Sequence, residues 1–316
     1  MQALLDTIAA LPAPPTEAQR LFHGRGGRHP GCEHLTLDAF PPCLLLTSFE
    51  RPLGDAELAA VHDALTARWA QIAPGEPLNW VYQGRQVGGD ERTQTRLMAG
   101  AAPEPHAVQE QGASFLVHLL KGQNHGLFLD MAEGRRWVRE QVAAAVTQPG
   151  AARLKVLNLF AYTCAFSVVA LQAGAEQVVN VDMSAGALAI GRRNHQLNGE
   201  SDGALFLAHD IFKSWGKLTR LGPYGLVIVD PPSFQRGSFV ATKDYARLMR
   251  RLPELLAPGG QALLCLNAPG LGSAFLTEQM QQLAPALRFE RRLANPAAFA
   301  DVDAERALKV LVYRAP

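Results

Sequence analysis

Four cysteines in 316 residues, with no Cys-x-x-Cys pair among them, leave no basis for a zinc ribbon or a disulfide framework. Scattered thiols (Cys32, Cys43, Cys164, Cys265) suit a reducing compartment, so a cytoplasmic location is expected. His23, His29 and His34 match no metal-ligand spacing, and no metal is expected. No apolar run approaches the ~20 residues of a membrane span. The opening MQALLDTIAALPAPP has an early Asp and no basic leader, which argues against a secretory signal. A large excess of either charge is missing too: the net charge is +1. Residues 1–105 hold eight Lys and Arg against twelve Asp and Glu, and residues 106–316 hold 22 against 17. Bulk charge therefore gives the front segment little grip on phosphates, and the back segment only a mild one. What remains is ordinary globular composition with room for two modest domains.

The stretch the chain is organised around is KVLNLFAYTCAFSVVALQAGAEQVVNVD, 155–182. A short apolar run (156–160) reads as a buried strand. A helical run follows, stopped at Gly174, and a second strand (177–181) delivers Asp182 at its end. That order is a nucleotide-binding βαβ unit, in which the terminal acid accepts from a ribose diol. The turn AYTCAF contains no glycine. A pyrophosphate needs glycine for close backbone approach, so a dinucleotide is disfavoured; S-adenosylmethionine, with a ribose and no phosphate, demands less.

Ahead of this unit the chain reads as a small α+β domain. A short helix precedes a Pro-rich connector, Leu11 to Pro15. LFHGRGGRHPG is either a phosphate-contacting loop or a solvated turn, and the solvated turn is favoured. Strands are expected near 34–38, 43–49 and 79–82, with a helix from an Asp55 N-cap to about Trp69. Gly84 to Gly100, carrying Arg85, Arg92 and Arg96, reads as a loop that could touch an RNA backbone. A hairpin should turn at Gln111-Gly112. The expected division is 1–105 for this domain, 106–126 for the hairpin and 127–316 for the nucleotide-binding domain.

Asp130 and Arg135 are five residues apart. They could bracket the amino-acid end of a cofactor; spacing alone favours Asp130 as a helix cap with Arg135 solvated. Past the central unit, a helix (185–198) and a strand (204–208) lead to Asp210, which is self-consistent as an acceptor for an adenine amine and, taken alone, more often a helix cap. A fully apolar strand, 224–229, runs into Asp230-Pro231-Pro232-Ser233-Phe234. Two prolines hold the backbone extended and remove amide donors. The Asp230 carboxylate and the Pro231 carbonyl can then act as acceptors beside a ring, Phe234, that stacks a flat substrate. A helix (243–256), a strand (261–266), another helix (274–283) and an antiparallel pair of strands close the chain.

With GLFLD…RR at 126–136, LNLFAYT at 157–163, VDMS at 181–184, NHQLNG at 194–199 and DPPSF at 230–234, the sequence resembles class I S-adenosylmethionine-dependent methyltransferases. It is most similar to the guanine-N7 half of bifunctional 23S rRNA methyltransferases and to their cytosine-C5 relatives. The resemblance implies an α/β, Rossmann-like sheet of seven strands with the last antiparallel, S-adenosylmethionine as cofactor, and rRNA or another RNA as partner. It implies cofactor contacts from Phe128, Asp130, Arg135, Asn158, Phe160, Tyr162, Asp182, Met183, Asp210, Ile211 and Asp230, and tips Asp130 and Arg135 from cap toward ligand. Asp230, Pro231 and Phe234 are the candidate catalytic residues. Three departures stand out. Cys164 replaces a glycine of the N7 enzymes. LNAPGLG replaces an Asn-rich segment ending Lys-Arg-Gly. Ala268 stands where the C5 enzymes have the cysteine that must add to carbon-6. Cys265, three residues earlier, reads as a buried structural thiol, so a nitrogen target is expected. A small-molecule methyltransferase and a non-catalytic RNA-binding factor are the alternatives.

Overall fold

The computed structural model describes residues 1–85, 93–147, 154–232, 234–235 and 239–316. The chain forms two compact units, Met1–Leu129 with Pro296–Asp303 and Asp130–Asn295 with Ala304–Pro316.

The first unit contains α1 (Gln2–Ala9), β1 (Gln19–His23), β2 (Leu35–Phe40), β3 (Cys43–Phe49), α2 (Asp55–Ile72), β4 (Asn79–Arg85) and β5 (Gln94–Ala99). Its five strands form one sheet in chain order. Only β3 and β4 run parallel, which obliges a crossover, and α2 supplies it. Leu58, Val61 and Leu65 line one stripe of α2, and they share a core with Leu4 and Ile8 of α1 and Trp80 of β4. A separate ribbon, β6 (His106–Glu110) and β7 (Ala113–Val117), turns at Gln111 (φ 49°) and Gly112 (φ 80°). Two left-handed residues are what a two-residue hairpin turn demands.

Three expectations for this unit are corrected. Strand β1 was not anticipated, because a register shift between Arg20 and Phe22 breaks its alternation. The 84–100 loop is largely strand: β4 runs to Arg85 and β5 pairs with it, its polar residues suiting an edge. Arg92 lies outside the described residues. The cap of α2 is Gly54, whose amide donates to Glu57 Oε2 at 2.9 Å, and Asp55 is the first helical residue.

The second unit runs α3 (Ala132–Val146), β8 (Lys155–Leu159), α4 (Ala165–Gln172), β9 (Gln177–Asp182), α5 (Ala185–Leu197), β10 (Ala204–Ala208), α6 (Trp215–Leu221) and β11 (Tyr224–Val229). Then come β12 (Phe234–Gln235), β13 (Phe239–Val240), α7 (Ala241–Met249), α8 (Leu252–Leu255), β14 (Leu256–Leu266), α9 (Ser273–Leu283), β15 (Arg288–Leu293) and β16 (Lys309–Arg314). Seven strands make one sheet in the order β10-β9-β8-β11-β14-β16-β15. Strands β8 to β11 and β14 are parallel; β16 is antiparallel to both neighbours. The apolar runs of β8, β9, β11 and β14 are buried because helices cover both faces of a parallel sheet. The expected helix 243–256 is broken between Met249 and Leu252. Pro253 has no amide to continue the ladder, and its ring would clash with the preceding turn.

Strand order reverses between β8, which leads outward to β9 and β10, and β11, which leads the other way. Loops leaving the carboxyl ends of those two strands flank a crevice, where ligands of open α/β sheets bind.

Candidate cofactor and substrate site

Register sets the level of that edge. Leu159 pairs with Val181 on one side and Val229 on the other, and Asp182 pairs with Ala208. Phe160, Asp182, Ala208 and Asp230 therefore stand at one height across four neighbouring strands.

The turn after β8 is held in an unusual backbone. Phe160 (φ 58°), Tyr162 (φ 47°) and Cys164 (φ 63°) are all left-handed, a conformation that disfavours any residue with a Cβ. Asp182 helps to hold it: Oδ2 accepts the Tyr162 amide at 2.9 Å and Oδ1 accepts the Ser184 amide at 2.7 Å. Each carboxylate oxygen keeps a further lone pair, enough for two vicinal hydroxyls. Cys164 is fully buried, and helix α5 meets it with Gly191, where a Cβ would stand 2.5 Å from the Cys164 sulfur. The side chain that replaces glycine at 164 is accommodated by the glycine at 191.

Beneath the turn runs a buried chain of side chains. Asn158 Nδ2 donates to Asn180 Oδ1 (2.9 Å), Asn180 Nδ2 to Ser167 Oγ (2.9 Å), and Ser167 meets His195 Nε2 at 2.9 Å. His195 Nδ1 lies 2.7 Å from the Gly191 carbonyl. A carbonyl can only accept, so the proton sits on Nδ1 and Nε2 receives the serine hydroxyl. Burial lowers the His195 pKa and favours this neutral form. Donation thus runs one way, and Asn158 Oδ1 at its head is buried with no partner among the described residues.

Across the crevice, Asp230 follows β11. Burial is the main cause that raises its pKa from 3.8 to about 7; the Asp130 charge adds to the rise and Arg135 opposes it. These three groups are thus close enough to feel one another. Neither Asp130 nor Arg135 has the bland role that spacing favoured. Asp130 lies in a 3₁₀ turn, the residue preceding α3 is Met131, and Arg135 is 3% exposed rather than solvated. Asp210 does cap a turn, accepting the Phe212 amide at 2.9 Å through Oδ1. Ile211 is buried in the main core and Met183 is 57% exposed. Phe128 belongs to the first unit and is 44% exposed. Pro231 is buried; Ser233, Arg236 and the side chain of Phe234 lie outside the described residues.

Three contributors were not picked out from sequence. Asn180 interrupts an apolar strand opposite Asn158, and two asparagines at paired positions were the available signal. Tyr245 is fully buried, its hydroxyl donating to the Cys265 carbonyl, and the Asp230 charge helps raise its pKa. Lys309 is fully buried and donates to the carbonyls of Ala268 (2.8 Å) and Glu305 (2.9 Å), pinning the loop after β14. Nothing in the sequence marks that lysine.

A family model of S-adenosylmethionine-dependent methyltransferases matches residues 19–314. The chain belongs to that family. It is similar to ribosomal RNA large subunit methyltransferase I of Aeromonas salmonicida, 33% identical over 57% of this chain and 44% of that protein. The namesake from Erwinia tasmaniensis is 28% identical over 93% of this chain and 68% of that protein. The chain spans under half the length of the first curated relatives it matches. Among solved structures, a putative S-adenosylmethionine-dependent methyltransferase from Streptococcus mutans superposes with a TM-score of 0.78 at 25% identity, covering 99% of this chain and 81% of that one. A putative methyltransferase in complex with SAH gives 0.74 at 25% identity, covering 96% and 76%. The seven-stranded sheet, expected from the sequence, is the family's.

The residues present fit the cofactor the family implies. Asp182 has the spare lone pairs for a ribose, the turn needs no phosphate site, and Asn158 Oδ1 is an unused acceptor in the strand beneath. Among the described residues no group of His, Cys, Asp and Glu could hold a metal ion, and no helix is long and apolar enough to cross a membrane.

Proposed function

We propose that this chain is a cytoplasmic methyltransferase that uses S-adenosylmethionine to methylate a nucleobase nitrogen in ribosomal RNA. The observation that carries the reading is the Asp230 carboxyl group, raised to about 7 beside Asp130 and Arg135 and followed by two prolines that donate nothing. The cofactor, when bound, supplies an electrophilic methyl group on a sulfonium.

The division of labour follows from the residues. Asp182 holds the ribose hydroxyls while fixing the turn, and Asp210 offers Oδ2 to the adenine amine. Asp130 and Arg135 receive the ammonium and carboxylate ends. Asp230 and the Pro231 carbonyl are acceptors for the hydrogens of an exocyclic amine, or frame the edge of a ring nitrogen whose lone pair is already free. Either target needs positioning and desolvation rather than a covalent step.

Carbon methylation would need a thiolate after β14. Cys265 is fully buried, and burial, with the Asp230 and Asp130 charges, raises its pKa well above the usual thiol value. Ala268 occupies the position the C5 pattern gives to cysteine. The curated relatives named for the ribosomal large subunit support RNA as the substrate class. Mass spectrometry of nucleosides from rRNA of a deletion strain tests the reading. Loss of one N-methyl nucleoside is expected; an unchanged set, or loss of a C-methyl pyrimidine, contradicts it.

A further inference from the structure

The loop LFHGRGGRHPG, favoured above as a solvated turn, is built into the first unit. Residues Gly24–Gly26 form a 3₁₀ turn in which both glycines are buried. A Cβ on Gly24 would stand 1.7 Å from the Cys32 carbonyl oxygen, and one on Gly26 would stand 2.2 Å from that of Ala300. The backbone is therefore seated too closely for side chains at those two positions, and the residue between them, Arg25, is exposed. Its guanidinium lies 4.2 Å from the centre of the Phe49 ring, and that of Arg85 lies 5.3 Å from the same ring. Arg20 lies 4.3 Å from the Phe299 ring and holds Asp38 through two bonds of 2.7 and 3.0 Å.

Three guanidiniums, Arg20, Arg25 and Arg85, meet two carboxylates here, Asp38 and Asp301, so the local balance is positive on a unit whose front residues are acidic overall. Arg20, Arg25 and Arg85 influence one another, with Asp38 as the carboxylate that acts on Arg85. Burial is the main cause that lowers Arg85 to about 10, and the Arg25 and Arg20 charges add to it. The guanidinium still stays charged at neutral pH. His23 adds no cation: burial, Arg20 and Arg25 bring it to about 4. Arg20 is committed to Asp38 and His23, and Arg85 donates to Gln83 Oε1 and the Gln123 carbonyl. Arg25 is the exposed guanidinium, and a planar fork lying over an aromatic ring is the combination that suits phosphate oxygens and stacked bases together.

We propose that Arg25 and Arg85, both placed over Phe49, form a docking surface for the phosphodiester backbone of a single-stranded RNA segment. The inference rests on the RNA-substrate reading and adds where on the first unit RNA is gripped. The probe is a fluorescein-labelled single-stranded RNA 12-mer, titrated with the full chain by anisotropy over a salt series, with cofactor affinity measured by calorimetry on the same samples. Arg25→Ala should weaken RNA binding about fivefold or more and reduce the slope of log K against log salt by about 0.7, one phosphate contact. Arg25→Lys should keep the slope and still bind more weakly, because the stacked fork is lost. Cofactor affinity should not change in either. If wild type binds the RNA and Arg25→Ala and Arg85→Ala both bind equally well, this surface is overturned while the RNA reading stands. If wild type binds cofactor but no RNA at low salt, both are overturned.

Discussion

Asp230→Asn should make the protein more stable while disabling it, by an amount that depends on pH. The wild-type carboxyl has its pKa raised from 3.8 to about 7 in the folded chain. Between about pH 4 and pH 7 the native state therefore holds a proton that the unfolded chain has released. Stability falls as pH rises through that window, and the full penalty is present above it. At about 1.4 kcal/mol per pKa unit, the rise corresponds to about 4 kcal/mol. Asp230 is only partly covered from solvent, and water at its exposed side lowers the effect to about 2 kcal/mol. Asparagine keeps the shape and cannot ionise, so it removes the penalty. Urea unfolding of both proteins at pH 8 and at pH 4.5 reads the effect. The variant should gain about 2 kcal/mol at pH 8 and only about half of that at pH 4.5, where the unfolded carboxyl has only begun to be protonated. A variant that is less stable at pH 8, or whose gain is the same at both values, would refute the electrostatic account of this edge.

Other outcomes follow from the same geometry. The ionising limb in kcat/KM should lie near pH 7 and move lower in Asp130→Asn, because the Asp130 charge helps to raise Asp230; a limb that stays put contradicts that coupling. Gly191→Ala should destabilise by about 2 kcal/mol through the clash with Cys164, and Cys164→Gly in the same chain should recover much of it; additive effects in the double-mutant cycle would show that the two sites do not touch. Asn180→Ala leaves two buried donors or acceptors unmatched and should destabilise by about 2 kcal/mol in urea unfolding, whereas an effect below about 0.5 kcal/mol would mean that the buried chain is not formed. Cys265→Ala should keep methyl transfer within a few-fold, and loss of turnover with the fold intact would reopen a covalent route.

The second unit was legible because its signals are local and repeated. Apolar runs of strand length, a helix stop at Gly174 and acids at strand ends each appear in order along 155–230. The first unit was less so. The alternation of β1 is cut by the bulge between Arg20 and Phe22, and β5 is an edge strand whose polar residues imitate a loop. Asp130 and Arg135 show the limit of spacing as a guide. Five residues of separation favoured a helix cap with a solvated arginine, and only the fold brings both near Asp230, about a hundred positions on. Lys309 was illegible for a related reason: a lysine in a strand pattern is normally solvated, and its partners are the Ala268 carbonyl, 41 residues upstream, and the Glu305 carbonyl nearby.

The central claim is that Asp230 serves methyl transfer to a base rather than cofactor capture. Purified chain, tritiated S-adenosylmethionine and rRNA from a deletion strain, followed by nucleoside digestion, test it directly. Wild type should place label in one N-methyl nucleoside, and Asp230→Ala should place none while its cofactor affinity stays within about tenfold. Equal labelling by the two proteins would contradict the claim.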